Sequence, residues 1–331
     1  MNRRTFVSTS LGASALLALG KHPQPFPKGD PPVATKALPI TGTFIDEITY
    51  DIPSQNWGPE QWRADFDAMK AIGIDTVIII RCGLRGRTVF PSKVIGTDPG
   101  EDLARLYLEE AEKRKMHLFI GNYDSAEWGK PGAWKKEIEI NREFMKEIWS
   151  RYGSFSSFAG WYLSHETSHS RFHFREITIE LSELAKTLAP GKPVLISPYY
   201  PSRKLYGDDA LEPDEFADNW RHMLKGITTI DFAAFQDGTA PLRELDSYLS
   251  QATTVLKESG IQVWNNVETF TREMPVKFPP IDFRELREKL AISAQYATKN
   301  ITFEFSHFMS PNSFYPSAKN LYGRYKEFFN L

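Results

Sequence analysis

The amino-acid sequence predicts an α/β fold of the (β/α)8 type, a TIM barrel. From residue 40 onward, a short β-branched or aromatic run, a polar knot and a segment of helical period recur eight times. The repeats follow one another at roughly 33 to 42 residues, the spacing of strand–helix units that close into a barrel. The polar knots fall at the C-terminal ends of the strands, where the chemistry of such barrels sits. The open alternative, a doubly wound sheet, would carry a Gly-rich first turn, and this chain has none.

In chain order the first strand candidates are ITGTFIDEITY from Ile40, DTVIIIRCG from Asp75, HLFIGNYDS from His117 and FAGWYLSHE from Phe158. PVLISPYY from Pro193, TTIDFAAFQDG from Thr228, IQVWNNVETF from Ile261 and ITFEFSHF from Ile301 follow. Between them lie the helices. PEQWRADFDAMKAIG sets Trp62, Phe66 and Met69 on one face and closes on Gly73. EDLARLYLEEAEKRK begins with acids and ends with bases, matching the helix dipole. WKKEIEINREFMKEIWSRYG, FREITIELSELAKTLAPG and PDEFADNWRHMLKGI come next. LRELDSYLSQATTVLKESG, FRELREKLAISAQYATKN and SAKNLYGRYKEFFNL complete the set.

The barrel domain is expected over residues 40–331. Residues 1–20 read as a signal peptide: MNRRTF, with paired arginines of the twin-arginine type, then the apolar run VSTSLGASALLALG. That run is too short for a stable membrane span. Residues 21–39 read as a Pro-rich linker. The expected location is therefore outside the cytoplasm, periplasmic or extracellular, with no membrane attachment of the mature form. A net charge of −2 without a basic stripe excludes a polyanion partner, so nucleic acid is not expected. The single cysteine, Cys82, rules out an internal disulfide and reads as a small buried filler. Nothing in the sequence addresses oligomeric state, and no cofactor or metal is expected.

His165-Glu166-Thr167-Ser168-His169 matches H-E-x-x-H, a zinc pattern that works only on a helix. Here it ends a buried strand run, FAGWYL, so the two histidines would not share a face. Glu166 then ends the fourth strand and Glu268 the seventh. That pair resembles the retaining (β/α)8 glycosidases, in which one carboxyl stays protonated and the other, about 5 Å away, attacks the anomeric carbon. Around them stand Asp46 and Glu47, either ligands for a sugar or the solvated start of a loop. Arg81 is expected to point into the mouth and pair with a carboxylate, or to hold an acidic sugar bidentately. Asn122 and Asp124 bind hydroxyls or make a turn; Gln236 and Asp237 bind a sugar, with an Asp-Gly turn as the alternative. His165, Asn266 and His307 join the mouth. Tyr199, Tyr200, Trp264 and Trp128 are candidate platforms for sugar faces, whereas Trp161 reads as core. Glu304 is expected inside the barrel, with Arg81 as its partner.

The Glu166 and Glu268 positions resemble the retaining (β/α)8 glycosidases, whose acid/base ends strand four and whose nucleophile ends strand seven. The chain departs from them in one respect, since His165 stands where Asn usually precedes the acid/base. A second resemblance is to a bacterial family, domain of unknown function 4434. It is carried by GTFIDEITYDIPSQNWGPEQWRADFDAMKAIGIDTVIII and by AFQDGTA. It implies an exported barrel glycosyl hydrolase acting on carbohydrate. Two other functions use the same mouth: a non-catalytic carbohydrate-binding barrel, and a metal-dependent sugar enzyme built on His165, Glu166 or His307.

Overall fold

The computed structural model describes residues 37–50, 52–170, 173–272 and 277–331. The expected signal peptide and most of the linker lie outside the described residues. Thr35–Leu331 forms one compact unit.

The β-branched and aromatic runs, buried on both faces, form eight parallel strands. They are β1 (Ile40–Ile45), β2 (Thr76–Ile79), β3 (His117–Gly121), β4 (Phe158–Leu163), β5 (Val194–Ile196), β6 (Phe232–Gln236), β7 (Gln262–Asn266) and β8 (Lys299–Thr302). Each pairs with its sequence neighbours, and β8 returns to β1 to close the barrel. The helices follow the sequence pattern closely: α1 (Pro59–Ala71), α2 (Leu103–Lys113), α3 (Ala133–Tyr152), α4 (Phe174–Leu188), α5 (Pro213–Leu224), α6 (Leu242–Glu258), α7 (Phe283–Ser293) and α8 (Pro316–Phe329). Their starts are chemically marked. Pro59 opens α1, and the Asp102 and Asp282 carboxylates accept the backbone N–H groups of Arg105 and Arg284 at 2.9 and 2.8 Å.

Strand residues alternate between two cores. Phe44, Ile78, Ile80, Phe119, Tyr162, Leu195, Ala234, Trp264 and Ile301 fill the barrel interior. Ile45, Val77, Ile79, Leu163, Phe235 and Val263 face the helices. Trp161 is fully buried in that outer layer against Phe158, and Cys82 is buried there too. Beyond β2 and β3 the chain adds a small sheet of Gly83–Leu84, Arg87–Thr88 and Tyr123–Asp124, which carries Asp124 to the mouth.

The eighth segment departs from expectation. The strand stops at Thr302, and Glu304 caps a short helix, Phe305–Phe308, by accepting the Ser306 and His307 N–H groups. Glu304 is fully buried against His307, not against Arg81. The parity of β8 explains this, because Ile301 and Phe303 take the inner face.

This corner makes stability sensitive to alkali. Burial of Asp65 on α1 raises its carboxyl from 3.8 to about 7, against hydrogen bonds from Ser310 and Ser306. Its folded form thus holds a proton that the unfolded chain has already released, and stability falls as pH rises from 3.8 towards 7. Burial works against the charge on His307, but the Glu304 carboxylate outweighs it and lifts the imidazole from 6.5 to about 9. That contribution is complete below 6.5 and is lost as pH climbs through 9. A Tm roughly 4 °C or more lower at about pH 9.5 than at about pH 6 is expected by scanning calorimetry. His307→Asn should flatten the upper part of the decline.

Candidate active site

Glu166 follows β4 by three residues and shares the inner face with Tyr162 and Ser164. The Tyr162 hydroxyl donates to Glu166 Oε1 at 2.8 Å, and Arg81 Nη2 lies 3.7 Å from Oε2. Burial raises the Glu166 carboxyl above its ordinary value, opposed by Arg81, Tyr162 and Gln236 and reinforced by Asp124. Its side chain still keeps 21% exposure to the cleft. A carboxyl that is buried yet accessible suits the delivery of a proton.

Glu268 follows β7, on the inner face already taken by Trp264 and Asn266. Arg272 donates to Glu268 Oε1 at 2.9 Å. Glu268 Oε2 is buried and accepts no hydrogen bond from the described residues. The result is a carboxylate with one oxygen held by a cation and the other unengaged.

Both glutamates line one cleft of about 260 Å³ at the C-terminal mouth of the barrel, together with Asp46, Arg81, Asp124, Gln236 and Asn266. Arg81 knits one wall. Its Nε donates to Asp124 Oδ2 at 3.2 Å and its Nη1 to Thr49 Oγ1 at 3.3 Å. Burial opposes its charge, but Glu166, Asp124 and Asp46 keep it firmly protonated. Asp46 Oδ1 accepts the Ile48 and Thr49 N–H groups at 3.0 and 2.9 Å. Gln236 Nε2 donates to the Ser197 carbonyl at 2.8 Å, and Asn266 Nδ2 to Ser197 Oγ at 3.1 Å. Asp46 Oδ2 and Asn266 Oδ1 are buried without partners among the described residues, so the cleft offers acceptors for the hydroxyls of a ligand.

Nine expected mouth residues lie elsewhere. His165, next to Glu166, turns outward and its Nε2 pairs with Glu137 Oε1 at 2.8 Å. The H-E-x-x-H stretch is not helical, and His169 Nδ1 instead meets Ser168 Oγ at 2.7 Å. Asn122 is a buried clamp: it donates to Asn141 Oδ1 and accepts Ser164 N–H, both at 2.7 Å. Asp237 is fully buried against Lys289. Trp264 plugs the barrel below the cleft, stacked on Phe232 with centroids 4.2 Å apart. Tyr200 stacks on Phe235 in the outer core, and Tyr199 lies near Tyr206. Glu47 accepts from Ser54 Oγ at 2.6 Å, and His307 is fully buried. Trp128 packs edge-on to His165, outside the cleft.

Asp124, Glu137 and His165 each bring one possible metal-ligand atom within 4.8 Å of the others. These atoms already serve one another and their neighbours. Glu137 Oε1 takes His165 and the Ser125 N–H, and Asp124 takes Arg81 and the Ala126 N–H. A cation there would face the Arg81 guanidinium.

Tyr162, Thr49 and Arg272 hold the site without having been singled out from the sequence. Tyr162 was legible by parity, lying four residues before Glu166 on the same strand face. Arg272 sits four residues after Glu268 in a loop, and no strand period reaches it. Phe270, Phe278 and Phe303, also in the cleft wall, are apolar and carried no chemical signal.

With the mouth defined, the comparisons place the chain in a family. Residues 40–315 match the model of the Domain of unknown function DUF4434, and the protein belongs to that family. A solved structure from Bacteroides thetaiotaomicron VPI-5482, described as a "putative alpha-L-fucosidase", is 40% identical. The match covers 89% of this chain and 96% of that one, with a TM-score of 0.86. The endo-1,4-beta-D-mannanase of Thermotoga petrophila RKU-1 shares the fold at 13% identity, with a TM-score of 0.57 and coverage of 88% and 99%. Among curated proteins none matches this chain.

Proposed function

We propose that the protein is a glycoside hydrolase that works by double displacement, with Glu166 as general acid/base and Glu268 as nucleophile. The observation that carries this reading is the convergence of the two carboxyls on one cleft in different surroundings: Glu166 lies beneath a tyrosine hydroxyl, part-exposed and 3.7 Å from Arg81, and Glu268 has one oxygen on Arg272 and one buried without a partner among the described residues. The relative described as a "putative alpha-L-fucosidase" supports the same class, and makes an aryl α-L-fucoside the first substrate to test.

In the first step Glu268 Oε2 bonds to the anomeric carbon as the bond to the leaving oxygen breaks, and the Glu166 proton passes to that oxygen. In the second, water attacks the same carbon, Glu166 takes its proton, and the ester to Glu268 breaks. The sugar leaves with its original anomeric configuration. Asp46 Oδ2 and Asn266 Oδ1 accept ring hydroxyls meanwhile. The twin-arginine-like start supports action outside the cytoplasm on a carbohydrate met there.

The test is release of sugar from aryl glycosides, α-L-fucoside first, and from a panel of glycans. Hydrolysis by the intact protein supports the reading. Binding without release from any member would replace it with a carbohydrate-binding barrel. A further expectation concerns Arg81, which opposes the rise of the Glu166 carboxyl. Arg81→Met should move the alkaline limb of the kcat/KM profile to higher pH, because the proton then leaves Glu166 later. A limb that stays in place would assign that proton to another group.

A further inference from the structure

One buried ion pair is not used by the proposed reaction. Lys289 on α7 is almost fully buried, and its Nζ donates to Asp237 Oδ1 at 2.7 Å. The same ammonium donates to the Glu268 carbonyl oxygen at 3.1 Å. Asp237 Oδ1 also accepts the Glu268 backbone N–H at 2.9 Å. Both peptide groups of Glu268 are thus gripped by one salt bridge from behind the strand. An apolar pair would fill this space at lower desolvation cost, so packing alone gives no reason for charges here.

Gly238 bears on the same residue. A Cβ placed on it would lie 1.8 Å from Glu268 Oε2 and 3.1 Å from Glu268 Cβ. Gly238 is not among the glycines with a left-handed backbone, so its conformation admits alanine. The three nearest atoms to that Cβ all belong to Glu268, its carboxylate foremost. Glycine at this position leaves bare backbone for the acid to rest on.

We infer that Asp237, Lys289 and Gly238 form a positioning unit that fixes the Glu268 carboxylate where it attacks: the ion pair sets the main chain and the glycine sets the acid. The inference rests on Glu268 being the nucleophile. Gly238→Ala pushes Oε2 aside, since Glu268 supplies the nearest atoms to the added methyl. A displacement on the order of 1 Å costs about 100-fold in rate.

The experiment measures kcat and KM on an activated aryl glycoside, with a circular-dichroism melt for every variant. Gly238→Ala is expected to remain folded, to lose about 100-fold in kcat and to change KM by less than about threefold. In a Glu268→Asp background the shorter acid has already withdrawn from Gly238, so adding Gly238→Ala should cost less than about fivefold. Asp237→Asn combined with Lys289→Met leaves no lone buried charge, and should fold and lose about tenfold in kcat at constant KM. Should Gly238→Ala fail to fold, this pair decides alone. The inference is overturned if the folded variants keep kcat within twofold, or if Gly238→Ala costs as much in the Glu268→Asp background as in the parent protein. If Glu268→Gln itself remains active, the nucleophile assignment fails, and that outcome is distinct from both.

Discussion

Glu268→Ala is expected to abolish turnover, lowering kcat by on the order of 10⁴-fold or more, while the melt stays within a few degrees of the parent protein. The fold is expected to survive, since Oε2 has no partner among the described residues, the Arg272 that Oε1 meets is part-exposed and can turn to solvent, and the backbone contacts to Asp237 and Lys289 outlast truncation. Turnover fails because the group that attacks the anomeric carbon is gone. Truncation also opens a small space above Gly238. A compact anion such as azide should enter it, attack the anomeric carbon and restore part of the rate. The product would be a glycosyl azide of inverted configuration, formed by one displacement instead of two. Azide rescue without inversion would mean that Glu268 is not the nucleophile.

Glu166→Gln has the second largest expected effect, a loss of about 10²- to 10⁴-fold that depends on the leaving group. A nitrophenolate departs without a proton, so its cleavage should suffer least; an alkyl or sugar alcohol needs the proton and should suffer most. The alkaline limb of the pH profile should vanish as well, because the group whose carboxyl burial raises has been replaced by one that does not titrate. The new amide oxygen can still accept the Tyr162 hydroxyl, so the cleft wall should hold its shape. An equal loss on both kinds of leaving group would assign Glu166 a binding role.

The fold was legible because each strand and helix announces itself by its own period and because the caps are chemically marked. The site was only half legible, and parity explains much of the rest. The sequence pattern places Asp46 and Glu47, His165 and Glu166, and Gln236 and Asp237 at the mouth as pairs, yet neighbouring residues on an extended chain point to opposite faces. Asp46, Glu166 and Gln236 follow the inner residues Phe44, Tyr162 and Ala234 by an even number of positions, and they line the cleft. Their neighbours turn towards helices or loops, where Glu137 receives His165 and Lys289 receives Asp237. The same rule would have sent Glu304 outward. Arg272, Phe270 and Phe278 line the cleft from beyond the end of β7, where no strand period places them.

The most direct test of the two-carboxylate account is to trap the covalent intermediate. The intact protein would be incubated with an activated 2-deoxy-2-fluoro glycoside of the sugar it releases, digested and mapped by mass spectrometry. The account predicts one labelled peptide with the sugar esterified to Glu268, and a first-formed hydrolysis product of retained configuration. A label on another carboxylate, or a first product of inverted configuration, would contradict it.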